Sequence, residues 1–144
     1  MVLLEHAHVI SPGVDLSDVS VRVRDGRVAA VGRDLASEPG EKIVDLHGQY
    51  LAPGFIDIHT HGRSGHDFCD LADKAFDVMG RDRLADGVTG FLATGLTRPE
   101  ADLAEMCRCA ERYKAKGAGA TCLGVHLEGR SSTPRWPARR IRPS

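Results

Sequence analysis

At residues 53–62 the sequence reads PGFIDIHTHG, an apolar run that ends in two histidines separated by one residue. Side chains two residues apart on a strand point to the same face, so His59 and His61 can converge on one metal ion, with Asp57 on that face below them. Gly62 follows, where the loop after the strand begins, and strand ends of this kind carry the sites of α/β folds. So short a pattern is common by chance. The alternative to metal binding is therefore a pair of half-exposed histidines that bind nothing.

The pattern after this stretch is an alternation of strands and helices. Apolar runs at residues 88–94 and 122–128 predict two more strands, and residues 72–86 have the apolar spacing of a helix. A second predicted helix precedes the last strand. Alternation at this spacing is typical of parallel βα units. A complete (β/α)₈ barrel needs roughly 250 residues, so residues 53–129 supply only about two and a half of its units.

Start and stop signals bound the second predicted helix. Thr97-Arg98-Pro99-Glu100 has the residue types of a capping box with an early proline, and Gly117 is placed to end the helix. The apolar residues between these signals recur at helical spacing. They predict a buried stripe formed by Leu103, Met106, Cys107, Ala110 and Tyr113.

The first fifty residues are rich in short strands. Residues 19–24 alternate apolar and polar side chains, and Asp25-Gly26 separates them from another apolar run at residues 27–32. Asp-Gly between two such runs predicts a tight type I′ hairpin, because that turn needs a positive φ at both central residues. Two shorter strands are predicted further along. Residues 1–52 are therefore expected to form part of a small sheet or sandwich.

The third predicted strand of the alternating region ends in His126-Leu127-Glu128-Gly129. A carboxylate at a strand end beside a histidine pair can bind divalent zinc, iron or manganese, so Glu128 is a candidate ligand. The alternative is a solvated glutamate at the end of a strand. His126 shares the face of Glu128 and can equally be a satisfied polar residue below the site. The motif Gly65-His66-Asp67 has the residue types of a polar loop, and that interpretation is favoured for it.

Composition places the 144-residue chain, with its net charge of -1, among ordinary globular proteins. It has no apolar run of membrane-spanning length, and its N-terminus lacks the basic and apolar regions of a signal peptide. The four cysteines form no CxxC pair and are expected to be free thiols. These features predict a cytoplasmic protein without a membrane partner.

The last fifteen residues differ in composition from the rest. Residues 130–144 carry five arginines and no acidic residue. A basic arm can bind nucleic acid. However, Trp136 is the one ring available there for stacking on bases, and the acidic remainder of the chain would repel phosphates. No nucleic-acid partner is therefore expected.

Taken together, these motifs resemble the amidohydrolase superfamily and, within it, the N-acetylglucosamine-6-phosphate deacetylases. The similarity rests on PGFIDIHTHG, on GHDF at residues 65–68, on GVTGFLAT at residues 87–94 and on LGVHLEG at residues 123–129. The resemblance implies an α/β fold in which residues 1–52 are the N-terminal part of a small β-sandwich. Residues 53–129 would then be the first two and a half βα units of a (β/α)₈ barrel.

The resemblance also implies an activity. It is the metal-dependent hydrolysis of the acetamide of N-acetylglucosamine 6-phosphate, and the phosphorylated amino sugar is the expected partner. Glu128 of HLEG carries over as a metal ligand, with His59 and His61 able to build a second position, and the cofactor is a divalent zinc, iron or manganese ion. No catalytic residue is assigned, because the family's aspartate lies on a later strand beyond the end of this chain. Substrate-binding residues are not assigned, and the full-length member is expected to be a homo-oligomer.

The resemblance ends at Gly129. Family members continue HLEG with Pro-Phe, whereas this chain continues with RSSTPRWP. Reading each codon one base earlier permits Pro-Phe-Ile-Asn-Pro, so the loss of one base near the Gly129 codon would explain the change. Residues 130–144 are therefore expected to be a frameshifted, aberrant Arg-rich tail, and the chain an inactive truncated version of the enzyme.

Two alternatives stay open. The first is another enzyme of the same superfamily, a cyclic amidase or a deaminase, because the histidine pair is shared among them. The second is a non-catalytic fragment.

Overall fold

The computed structural model describes residues 1–129, which form two compact units divided between Pro53 and Gly54. Both units contain β-sheet, and both α-helices of the described residues belong to the second. The fold is α/β, as the sequence predicted. None of these helices combines the length and apolar character needed to cross a membrane. The predicted tail at residues 130–144 lies outside the described residues.

The first unit is a single five-stranded sheet. Its strands are β1 (Val2–Ser11), β2 (Val14–Arg24), β3 (Arg27–Gly32), β4 (Lys42–Asp45) and β5 (Tyr50–Leu51). The strand order is β3-β2-β1-β4, and the short β5 also pairs with β1. The pairs β1–β2 and β2–β3 are antiparallel, whereas β4 and β5 run parallel to β1.

The turn between β2 and β3 is the predicted Asp-Gly hairpin. Asp25 has a φ of 51° and Gly26 a φ of 71°. Both central residues thus have the positive φ of a type I′ turn, which confirms the prediction.

A buried ion pair supports the small core of this unit. Arg22 donates from Nε to Glu41 Oε1 at 2.8 Å and from Nη2 to Glu41 Oε2 at 3.0 Å. The same guanidinium also donates to the carbonyl of Ala36. These hydrogen bonds hold the pKa of Glu41 below its usual range, so the carboxylate stays charged where the strands meet the following loop.

The strands and helices of the second unit alternate, as the sequence predicted. The elements are β6 (Phe55–Thr60), β7 (Gly62–Arg63), β8 (His66–Asp67), α1 (Asp73–Leu84), β9 (Val88–Gly95), α2 (Glu100–Lys116) and β10 (Thr121–Leu127). Three of the strands form a parallel sheet with the order β10-β9-β6. A two-stranded antiparallel ribbon, β7–β8, occupies the first loop and was not predicted.

Aromatic rings form the centre of the second core. Phe68 lies with its ring centroid 4.8 Å from that of Phe76 and 5.5 Å from that of Phe91, and Tyr113 of α2 closes the cluster. All four side chains are buried. The two helices therefore hold β9, the central strand, from one side.

Two details of α2 differ from the prediction. Pro99 is its N-cap and no side chain caps it, so the predicted capping box is wrong. A proline in this position has no hydroxyl or carboxylate with which to accept the first N–H groups. Cys109 is buried on the apolar face, whereas Cys107 is only half-buried. Gly117 ends the helix with a φ of 63°, as predicted.

Candidate metal site

Three side chains from the ends of two strands converge on one point. Glu128 Oε1 lies 2.7 Å from His59 Nε2 and 3.4 Å from His61 Nε2. The two Nε2 atoms are 3.3 Å apart. One donor atom from each residue lies within 4.8 Å of the others. Among residues 1–129 no second group of three such side chains satisfies this criterion.

The topology of the sheet explains this convergence. The strands β6 and β10 flank β9 and run parallel to it, so their carboxyl ends reach the same edge of the sheet. The backbone N–H of Glu128 donates to the carbonyl of Gly95 at 3.1 Å, which continues the pairing of β10 with β9. The carboxylate is therefore carried to the edge where the histidines of the first strand end.

The chemistry of the three donors suits a divalent ion. Two imidazole nitrogens and one carboxylate oxygen are ligands that zinc, iron and manganese accept. His59 is 49% exposed, and His61 and Glu128 are 32% and 31% exposed, so an ion and water can reach them. The distances between the donor atoms are short enough for one ion to contact all three after a small rotamer adjustment.

Two neighbours of the site take different roles. The ring centroid of His126 lies 4.8 Å from that of His59, but His126 is not one of the three converging donors. Asp57, expected on the face below the histidines, is instead engaged by Arg83, which donates from Nη1 to Oδ2 at 2.8 Å. The other oxygen of Asp57 accepts from the backbone N–H of His59 at 3.1 Å.

Sequence reasoning missed Arg83. A single arginine in a helix does not form a recognisable motif. Its position could have indicated burial, because Arg83 falls four residues after Met79 and seven after Phe76, on the apolar face of the predicted helix. A charged residue in such a position is expected either at the edge of the stripe or buried with a partner.

The polar loop after the histidines makes local contacts. His66 Nδ1 lies 3.5 Å from Asp70 Oδ2, and Asp67 Oδ1 accepts from the backbone N–H of Cys69 at 2.6 Å. Both His66 and Asp67 belong to the β7–β8 ribbon, and Asp67 is also the N-cap of the short 3₁₀ helix that follows it. They stand outside the group of three donors, in keeping with the loop interpretation.

The cysteines of the second unit do not join the site either. Cys69, Cys109 and Cys122 are buried and unpaired. Burial raises the pKa of the Cys109 thiol to about 11 and also raises that of Cys122. Because the thiolate is the form that binds metals, neither side chain is suited to hold an ion.

Several known proteins similar to the chain are deacetylases of phosphorylated N-acetyl amino sugars. An N-acetylglucosamine-6-phosphate deacetylase of Bacillus subtilis is 30% identical over 99% of this chain and 38% of its own length. An N-acetylgalactosamine-6-phosphate deacetylase of Escherichia coli is 34% identical over 83% of this chain and 31% of its own length. The chain thus spans about a third of the length of these two curated relatives. No family model matches it.

A solved structure of an enzyme with the same name as the first of these relatives also resembles the chain. A Mycobacterium smegmatis N-acetyl-D-glucosamine-6-phosphate deacetylase, in complex with N-acetyl-D-glucosamine-6-phosphate, matches with a TM-score of 0.60 and 26% identity. The match covers 89% of this chain and 32% of that one.

The curated relatives also include an enzyme with a different name. An allantoinase of Bacillus licheniformis is 33% identical over 78% of this chain and 24% of its own length.

Proposed function

Starting from the relationship of this chain to the N-acetylglucosamine-6-phosphate deacetylases of the amidohydrolase superfamily, we propose that the whole protein hydrolyses N-acetylglucosamine 6-phosphate. The products are acetate and glucosamine 6-phosphate. The observation that carries the proposal is the convergence of His59, His61 and Glu128 at the carboxyl ends of parallel strands. The finer architecture belongs to the same proposal: half a β-sandwich in the first unit and the opening of a (β/α)₈ barrel in the second.

We assign a divalent metal to these three residues. Glu128 Oε1 faces both Nε2 atoms and is the central donor, so an ion there is held from two strands at once. When bound, such an ion polarises an amide carbonyl and lowers the pKa of water to about 7. The side chains themselves fix the position of the ion relative to the sheet edge, and the imidazoles must be neutral to bind it.

Proton transfer needs a further group. Amide hydrolysis requires a general base to take a proton from water and an acid to give one to the leaving nitrogen. Asp57 is occupied by Arg83 and by the amide of His59, so it is poorly placed for either step. The family resemblance assigns this work to an aspartate on a later strand. For this reason we expect the 144-residue chain to bind metal without turning over substrate.

A second candidate reaction is the opening of a cyclic amide. The same three donors would serve it, and the similarity to an allantoinase favours it over other reactions of the superfamily. In both reactions the amide nitrogen is the leaving group, but the products differ: the deacetylase releases a separate acetate, whereas ring opening by a cyclic amidase leaves a single molecule. Acetate release therefore separates them.

The metal assignment is tested by zinc titration of the 144-residue chain and of Glu128→Ala. We expect the variant to bind about 10–100-fold more weakly or to lose the ion, since removal of even a residue that only orients a ligand has that effect. Glu111→Ala is the matched control, because Glu111 is an exposed glutamate on α2. Equal stoichiometry and affinity in Glu128→Ala would remove the assignment.

The substrate is tested on the product of the same gene with one base inserted at the Gly129 codon. We expect the zinc-loaded product to release acetate from N-acetylglucosamine 6-phosphate faster than from N-acetylgalactosamine 6-phosphate. Allantoin is the test substrate for the second candidate reaction. Consumption of allantoin, with no acetate released from either amino sugar, would favour the cyclic amidase. We also propose that this product is cytoplasmic and forms a homo-oligomer. Size-exclusion chromatography with light scattering measures its oligomeric state directly.

A further inference from the structure

The strand that carries the two histidines is irregular where they begin. Asp57 pairs with Phe91 and Thr60 pairs with Ala93, so β6 advances three residues while β9 advances two. One extra residue is therefore accommodated in β6 between Asp57 and Thr60, in the manner of a β-bulge, and bulges redirect the side chains next to them. His59 lies inside this segment.

Side chains satisfy two amides of the bulge. The backbone N–H of His59 donates to Asp57 Oδ1 at 3.1 Å. The backbone N–H of Thr60 donates to Thr94 Oγ1 on β9 at 2.9 Å. The conformation of the histidine segment thus depends on where the carboxylate of Asp57 is held.

One guanidinium contacts both sides of the bulge. Arg83 donates to Asp57 Oδ2 at 2.8 Å and to the hydroxyl of Thr60. Its side chain is only 5% exposed, and the guanidinium carbon lies 5.4 Å from the ring centroid of Phe91. Burying a cation is costly, and an apolar side chain of similar volume would fill the same space. What only an arginine offers here is a planar fork that reaches both residues.

We propose that Arg83 is a positioning residue that holds the β6 bulge and thereby aims His59 and His61 at Glu128. The inference rests on the proposed metal site. Arg83 touches none of the three donors, and it acts through Asp57, whose second oxygen holds the His59 amide. It fixes the strand from α1, so packing of that helix is coupled to the geometry of the site.

The test has a readout without metal and a readout with zinc. In the metal-free 144-residue chain, Arg83→Met should speed hydrogen exchange of the His59 and Thr60 amides and leave that of Phe91 unchanged. Zinc affinity should fall about 10–100-fold, the range found for residues that orient metal ligands. Arg81→Met, which removes an exposed arginine from the same helix, is the matched control and should change neither.

Conservative variants separate positioning from folding. Arg83→Lys keeps the charge but cannot span both acceptors, and Thr60→Val removes one acceptor. We expect zinc affinity between those of wild type and Arg83→Met for both, with core exchange unchanged. They carry the test if Arg83→Met unfolds.

The outcomes are distinct. Unchanged exchange at His59 and Thr60 overturns the inference, and so does faster exchange with unchanged zinc affinity, because Arg83 would then support the strand without aiming ligands. If the wild-type chain binds no zinc, the proposed metal site fails first and the inference falls with it. Zinc binding by the wild type with equal affinity in all Arg83 variants overturns the inference alone.

Discussion

Both units of the chain contain histidines and aspartates, but among residues 1–129 only the second unit brings three possible metal ligands together. In the first unit each histidine has its own carboxylate: His6 Nδ1 lies 3.0 Å from Asp18, and His8 Nε2 lies 2.6 Å from Asp15. His47 Nδ1 likewise lies 3.4 Å from Asp45 Oδ2, two residues earlier in the sequence. These are separate pairs along the sheet. In the second unit, side chains 67 residues apart in sequence meet at one edge, as His61 and Glu128 show.

The difference follows from strand direction. Consecutive antiparallel strands place successive turns at opposite edges of a sheet, so polar residues at strand ends are dispersed. Parallel strands place all their carboxyl ends at one edge, and the helices that connect them supply a core. The same residue types therefore yield isolated histidine–carboxylate pairs in one topology and a candidate metal site in the other.

The largest expected effect is on the aromatic core that supports the parallel strands. Phe91→Ala should destabilise the second unit by about 3–5 kcal/mol, because Phe91 is fully buried between Phe68 and Tyr113. Hydrogen exchange measured by mass spectrometry across a urea series reports the two units separately. Phe55→Ala, at a ring that is 70% exposed, is the control and should cost much less.

The first unit should be unaffected by Phe91→Ala. An equal loss of exchange protection in β1 and β2 would show that the two units unfold together. The two units could then not be compared as independently folding structures.

Features that depend on residues close together in the sequence could be predicted, whereas contacts between distant segments could not. Local signals were sufficient for the Asp25-Gly26 hairpin and for the end of α2 at Gly117, because each depends on backbone preferences of one or two residues. The apolar runs predicted the strands of the second unit. The histidine pair and Glu128 could be placed at strand ends because parallel strands share an edge.

Contacts between distant segments could not be predicted in this way. The parallel pairing of β1 with β4 joins strands separated by two others, and no short pattern encodes it. The role of Arg83 depends on its side chain reaching from α1 to β6, and the bulge in β6 depends on its register with β9. Register and helix packing are properties of the assembled sheet, so they leave no sequence motif.

A smaller effect is expected at the hairpin, and it should be confined to the first unit. Gly26→Val should cost roughly 1–2 kcal/mol, because a β-branched residue resists the left-handed conformation. The φ of Gly26 is 71°, and a Cβ there would meet no atom within 4 Å, so backbone strain is the whole cause. Gly26→Asn is the matched control and should cost less, since asparagine adopts this conformation more readily. Loss of exchange protection in β9 as well would contradict the separation of the units.

The smallest effect is expected for a surface ion pair that joins the two helices of the second unit. Arg112 Nη2 lies 2.8 Å from Asp73 Oδ1, and the two side chains are 45% and 42% exposed. The hydrogen bond from Arg112 lowers the pKa of Asp73 from its ordinary value of 3.8. A lowered pKa in the folded state means that the carboxylate stabilises the fold above pH 3.8, and that this contribution is lost as the pH falls below it.

Asp73→Asn should therefore unfold slightly more easily than wild type at neutral pH, and the difference should vanish in acid. Solvent and salt screen exposed pairs, so about 1 M NaCl should shrink the difference at neutral pH as well. The measurement is urea unfolding of both proteins followed by hydrogen exchange in α1 and α2, with Arg112→Met and the double variant completing the cycle. The double variant should be no less stable than Arg112→Met. A difference that persists in acid and in high salt would mean that Asp73 acts through packing or helix capping, and the electrostatic link between the helices would be wrong.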